Sequence, residues 1–235
     1  MVQGFEDHCW KDVVDPSVLE VYNAYERELY VGDNPALLAV DLYNLAFDGG
    51  PQPVEKVVKE YPSSCDVNAW NAIPATRRLF AAAREAGIPF IYTTTEARTE
   101  ADASKAYATA RQKTRLSSDS REIKAKFAPQ PGDLMIYKQR ASAFFGTPLV
   151  AQLNQIGVRS LIVCGESTSG CVRASVVDAF SNAIHVAIAE ECVFDRSMLS
   201  HKINLFNMHH KYGDVMYVDD IIEQLPTRNT LKDAV

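Results

Sequence analysis

The sequence predicts an α/β fold in which a mostly parallel sheet is covered by helices. Two observations carry that expectation. Short apolar runs alternate with helix-like runs along all 235 residues, the order that parallel strands joined by crossover helices require. Three joints, EAGIPFIYT, NQIGVRSLIVC and SNAIHVAIAEE, share one logic: a helix closes near Gly or Asn and a β-rich run follows at once.

Taken in order, the helix-like run 16–27 comes first, within residues 11–30, where Val18, Leu19, Val21, Tyr22, Tyr25 and Leu29 form an apolar stripe at helical spacing. Such a stripe must be buried, either on its own domain or against another subunit. Strand-like runs follow at 36–41, 88–94, 133–137, 160–164, 185–190 and 214–218. The remaining helix-like runs are 71–86, 101–113, 147–156, 172–183 and 199–211. In the fourth of these, Val172, Ser175, Val176 and Ala179 recur at helical spacing. Gly49 to Pro62 is rich in Pro and Gly and reads as irregular, either a wall over a site or a solvated loop. Nothing resembles a linker, so residues 35–235 read as one domain preceded by an N-terminal extension over 1–34.

Composition bounds the function. A content of 47% hydrophobic and 23% charged residues is ordinary globular usage. A net charge of −6 without a basic run argues against a nucleic-acid surface. No apolar stretch approaches the roughly 20 residues that span a bilayer, and the acidic start MVQGFEDHCW is unlike a signal peptide. A cytoplasmic location is the expectation. Cys9, Cys65, Cys164, Cys171 and Cys192 form no CxxC pair, and their odd count does not suggest a disulfide framework. Cys164 and Cys192 sit in apolar strand-like runs and read as buried structural residues.

Three segments carry candidate chemistry. In SLIVCGESTSGCVRASVVDAF an apolar strand breaks at a small polar turn holding Cys171 and then enters a helix. A cysteine at a helix N-terminus sits where free N–H groups favour an anion, so its pKa is expected to fall. The alternative is a small residue filling a strand-to-helix corner. ALLAVD ends in Asp41 and LMIYK in Lys138, and the ends of strands in an open α/β sheet line the ligand crevice. Asp41 is a candidate general base. Lys138 can hold that carboxylate anionic and stabilise charge on a substrate oxygen. Either residue can also be a solvated strand end.

These residues stand in the order seen in the isochorismatase-like cysteine hydrolases. From Pro35 to Leu225 the chain resembles that family, within it most of all the branch of N-carbamoylsarcosine and maleamate amidases. LLAVDLYN, IYKQRASAFFGT and GESTSGCVRASVVDAF carry the likeness. The resemblance implies a doubly wound, six-stranded sheet with helices on both faces. It also implies Cys171 as nucleophile, Asp41 as proton acceptor and donor, and Lys138 as their electrostatic partner. A cis peptide is implied between Glu166 and Ser167, with the N–H groups of Ser167 and Cys171 receiving the oxyanion. The expected activity is hydrolysis of a small carboxylated amide or N-carbamoyl amino acid through a thioester, with release of ammonia. A homo-oligomer, with a tetramer favoured, is implied as well.

Arg196, in ECVFDRS, matches the position of an arginine that in this branch binds the substrate carboxylate, a task suited to a bidentate guanidinium. A surface ion pair with Asp195 or Glu191 is the alternative. Phe144 and Phe145 are expected to wall the pocket, although an aromatic pair is also common in cores. Thr94, Thr95 and Asn44 are further expected substrate contacts. Tyr43 departs from the glutamine usual in the first motif. No histidine follows Asp41 in the spacing that relatives use for a metal, and adjacent His209 and His210 make a poor chelate. No metal and no cofactor are expected, which weakens nicotinamide as a substrate. Maleamate-type hydrolysis, or an oligomeric scaffold without catalysis, are the competing readings. No glycine-rich nucleotide motif follows any strand.

Overall fold

A computed structural model describes residues 4–95 and 117–226 of the chain. The helix-like run 101–113 lies outside the described residues. Six strands form one sheet: β1 (Pro35–Val40), β2 (Phe90–Thr95), β3 (Leu134–Lys138), β4 (Ser160–Glu166), β5 (His185–Phe194) and β6 (Asp214–Met216). Their order is β3-β2-β1-β4-β5-β6, and every neighbouring pair is parallel. The chain therefore winds outward from β1 to one edge, returns to β4, and winds to the other edge. That reversal opens a crevice between the carboxyl ends of β1 and β4.

The sheet is buried on both faces because its strands are apolar on both. Along β1, Leu37 and Ala39 join one core, while Ala36, Leu38 and Val40 join the other. The first core is closed by α3 (Asp66–Ala86) and α7 (Val218–Glu223), the second by α4 (Leu149–Gln155), α5 (Arg173–Ser181) and α6 (Met198–Lys211). Each fully buried Leu or Ile contributes about 1.5–3 kcal/mol. Cys164 and Cys192 lie in the first core, wholly buried.

Several boundaries differ from expectation. Strand β4 runs on to Glu166 and β5 to Phe194 because their ladder re-forms beyond a bulge, with Gly165 opposite Val193 and Glu166 opposite Phe194. The bulge requires Gly165: its φ is +108°, and a Cβ there would meet the Val40 carbonyl oxygen at 1.9 Å. Helix α3 begins at Asp66, ahead of residue 71, where the Ser64 hydroxyl accepts the Asp66 N–H at 3.0 Å. Strand β6 stops at Met216, and α7 follows it where no helix was foreseen.

The N-terminal helix α1 spans only Pro16–Tyr22. Asp15 caps it, and after a further turn Arg27 reaches Asp214 at 2.5 Å and the carbonyls of His209 and Gly213. Its apolar stripe divides. Leu19, Tyr22 and Leu29 pack on the domain, whereas Val21 is 73% exposed and Val18 and Tyr25 are also open. Ahead of α1, Trp10 is fully buried and His8 Nδ1 lies 2.5 Å from Glu190 Oε2. The short helix α2 (Val54–Val57) lies within the irregular 49–62 segment.

Candidate active site

The ends of three strands and one turn converge. Asp41 follows β1 in a left-handed conformation, φ +51°, which aspartate tolerates better than most side chains. Its carboxylate is held from two sides. Thr93, inside β2, donates its hydroxyl to Asp41 Oδ1 at 2.7 Å and accepts the Asp41 N–H at 3.1 Å. Lys138, the last residue of β3, places Nζ 2.7 Å from Asp41 Oδ2. The same ammonium lies 3.4 Å from Cys171 Sγ, and the thiol is also hydrogen-bonded to Asp41. Lys138 and Asp41 are almost fully buried, and Cys171 is half-buried.

Cys171 sits in a wide turn, Thr168–Val172, between β4 and α5. The turn is tied down at its start, where Ser167 accepts the N–H groups of Gly170 and Val172 and where Asp195 Oδ2 accepts the N–H and hydroxyl of Ser169. The peptide between Glu166 and Ser167 is cis. A lowered thiol pKa was the expectation from the helix N-terminus, and the structure corrects it. Burial first and the Asp41 carboxylate second push the Cys171 thiol up to about 12, against the opposing pull of Lys138. Desolvation and a like charge outweigh the helix end. The sulfur therefore rests as a thiol, and a base must take its proton. For Lys138, burial pushes down, but Asp41 and Cys171 outweigh it and the net movement is upward.

A second ring of groups surrounds this one. Glu166, at the end of β4, is buried with Oε2 3.0 Å from Cys65 Sγ. Tyr43 is buried and hydrogen-bonds Glu166. Burial, with the charges of Glu166 and Asp41 behind it, holds the Tyr43 hydroxyl well above its usual range. The sequence places neither Thr93 nor Cys65 at the site. The period-two alternation of FIYTTT could have set Thr93 apart from Thr94; no sequence signal marks Cys65.

The other expected contacts are held as follows. Thr94 donates to the Arg121 carbonyl at 2.7 Å. With Thr95, Arg121, Met135 and Tyr137 it lines a cleft of about 590 Å³ beside β2 and β3. The Asn44 amide donates to the Asp119 carbonyl at 3.1 Å, and its backbone N–H to that of Glu122, so it anchors a loop. Phe144 is buried in the core against which Cys171 also packs. Phe145 is 65% exposed, so the two rings face different surroundings. The Arg196 guanidinium donates to the Pro62 carbonyl at 2.8 Å. Its backbone N–H bonds Asp195 Oδ1, and among the described residues no carboxylate forms a salt bridge with its side chain. It stands close enough to Glu166, Cys65 and Asp66 to influence all three electrostatically.

The isochorismatase domain model matches residues 35–220. An N-carbamoylsarcosine amidase from Arthrobacter sp. is 32% identical over 226 residues, 92% of this chain and 81% of that protein. A maleamate amidohydrolase from Pseudomonas putida is 46% identical over 98 residues, which cover 42% of this chain and 46% of that one. The alignment thus spans less than half the length of that relative. The crystal structure of a cysteine hydrolase from Pseudomonas syringae pv. phaseolicola has the same fold, with a TM-score of 0.72 over 85% of this chain and 98% of that one at 18% identity.

Proposed function

The chain belongs to the isochorismatase family, and we propose that it is a cysteine amidohydrolase acting on a small carboxylated amide or N-carbamoyl amino acid. One observation carries the reading: a single buried ammonium, Lys138 Nζ, contacts both Asp41 Oδ2 at 2.7 Å and Cys171 Sγ at 3.4 Å. A neutral amide needs a nucleophile, a proton donor for its leaving group and stabilisation of the oxyanion. Asp41 takes the thiol proton as sulfur attacks the carbonyl, because a thiol held up at about 12 is not a thiolate at neutral pH. Lys138 offsets the negative charge that passes between sulfur and carboxylate. The N–H groups of Ser167 and Cys171 receive the oxyanion, an interaction worth about 3–4 kcal/mol per donor in comparable sites. Asp41 returns the proton to the departing ammonia and then activates the water that hydrolyses the thioester.

Arg196 is the proposed anchor of the substrate carboxylate, since its side chain has no carboxylate partner among the described residues. The likeness to the Pseudomonas putida maleamate amidohydrolase keeps a simple carboxamide as the second reading. The exposed edge of α1, with Val18 and Val21, and Tyr25 in the turn after it are the proposed subunit contact of a homo-oligomer with a tetramer favoured. A cytoplasmic site of action completes the proposal; no helix among the described residues is long and apolar enough to cross a membrane.

The test is ammonia release from N-carbamoylsarcosine, other N-carbamoyl amino acids, maleamate and nicotinamide, by the protein and by Cys171→Ala. Release from an acidic member that disappears in the variant supports the reading. Release that persists in the variant contradicts it.

A further inference from the structure

Asp195 takes no part in the steps above, yet it touches both of the segments they rely on. The ladder between β4 and β5 resumes beyond its bulge and pairs Glu166 with Phe194, so Asp195, the next residue, comes level with the turn that carries Cys171. Asp195 is 5% exposed, and both of its carboxylate oxygens are engaged. Oδ2 accepts the Ser169 N–H at 2.8 Å and the Ser169 hydroxyl at 2.7 Å, two residues ahead of Cys171. Oδ1 accepts the backbone N–H of Arg196 at 2.8 Å. The Asp195 carbonyl is itself held by the Asn68 amide of α3 at 2.9 Å. Hydrogen bonds to an ionised acceptor are short and strong, so a carboxylate gripped on both edges fixes the separation of the two segments it holds. It also stays off the neighbouring guanidinium, which donates to the Pro62 carbonyl at 2.8 Å instead.

We infer that Asp195 is a positioning residue that sets the nucleophile turn and the carboxylate anchor in one register, Oδ2 holding the turn of Cys171 and Oδ1 the backbone of Arg196. The inference rests on the reading of Cys171 as the nucleophile and of Arg196 as the anchor. An amide held by its carboxylate must present its carbonyl carbon to the sulfur, and misplacement by about 1 Å costs on the order of 100-fold in rate. Ser169 is exposed, so its two bonds to a buried carboxylate, rather than core packing, hold the turn at this point.

The experiment follows alkylation of Cys171, read from the mass of its peptide, by N-bromoacetylglycine and by its neutral methylamide. The neutral reagent reports the setting of the sulfur, and the ratio of the two rates reports the anchor. In the natural protein that ratio exceeds the ratio in Arg196→Met roughly tenfold. Asp195→Ala lowers the neutral rate roughly tenfold and brings the ratio down toward that of Arg196→Met. A folded Asp195→Ala that keeps either quantity unchanged overturns the inference. A natural protein whose ratio equals that of Arg196→Met overturns it too, because there is then no anchor to set. If Asp195→Ala does not fold, Ser169→Ala decides. Loss of one hydroxyl contact at this exposed residue lowers the neutral rate roughly threefold or more, and an unchanged neutral rate overturns the inference. Alkylation needs no amide turnover, so failure of this inference and failure of the amidase reading appear in separate assays.

Discussion

Two buried clusters of ionisable groups lie in this molecule, and they put the same chemistry to opposite uses. Around Cys171, two carboxylic acids, an ammonium and a thiol meet at the ends of β1, β3 and β4. Around α6, His8, His209 and His210 pack among Phe5, Trp10 and Tyr22, with Glu190 and Glu6 as partners. In the second cluster the rings are consumed in packing: His8 Nδ1 meets Glu190 Oε2, His210 Nε2 meets Glu6 Oε1 at 2.7 Å, and His209 Nδ1 accepts the Val215 N–H at 3.1 Å. These contacts fasten the N-terminal segment to its domain. In the first cluster the sulfur stays half-buried and is held by a neighbour that also holds its base. Burial of charge alone does not mark a reactive site. What distinguishes the first cluster is a thiol, a carboxylate and an ammonium that share contacts, the proposed nucleophile, base and counter-ion.

The comparison is broken most severely at the nucleophile. Cys171→Ala lowers ammonia release by roughly a thousandfold or more while leaving unfolding free energy within about 1 kcal/mol. His8→Ala has the converse effect. It removes the ring from Glu190 Oε2, leaving Oε1 on the Cys9 N–H, and costs about 1–3 kcal/mol of stability in denaturant titration, with turnover per folded molecule unchanged. Equal loss of turnover in both variants would erase the distinction between the clusters.

The pair inside the reaction cluster comes next. Lys138→Met leaves the Asp41 carboxylate buried without its cation and costs about 3–5 kcal/mol. Adding Asp41→Asn restores most of that stability and none of the activity, which denaturant titration and ammonia release read separately. A double variant that remains as unstable as the single one would mean that the ion pair is not the source of the loss.

The smallest effect is the direction of pH dependence. Burial, followed by the charges of His8 and His210, pushes His209 down to about 2, so it is neutral in the fold. The unfolded chain takes up the proton near 6.5. The stability tied to neutral His209 is complete above that pH and is lost below it, by about 1.4 kcal/mol per pH unit. Glu166 has the opposite sign. An acid raised from 4.5 to about 7 keeps its proton longer in the fold, so stability falls as pH rises through that window. Between about 4.5 and 6.5 the two contributions oppose each other, so with rising pH thermal stability should fall more steeply there in His209→Gln and rise more steeply in Glu166→Gln than in the natural protein. Unchanged slopes would contradict the assignment.

The strands were readable from the sequence because their cores are continuous apolar runs, and the ends of ALLAVD and LMIYK fell where a parallel sheet places its crevice. The turn at Cys171 was readable from its small polar residues. Its electrostatics were not, because the pKa of a thiol depends on what buries it and on which carboxylate stands beside it, neither of which is local in sequence. Thr93, Cys65 and Tyr43 illustrate the same limit. They reach the site from β2, from the start of α3 and from the turn after β1, positions that only the packed sheet brings together. Strand β5 outran its expected end because two glutamates interrupt its apolar pattern, and one of them is buried against His8.

Rapid mixing with the best substrate, acid quench and mass analysis of the Cys171 peptide tests the central claim most directly. A peptide heavier by the acyl group, present before ammonia release reaches its steady rate and missing in Cys171→Ala, is the predicted result. Steady ammonia release with the Cys171 peptide unmodified at every time point would contradict the account, because the amide would then be cleaved without a covalent step at this sulfur.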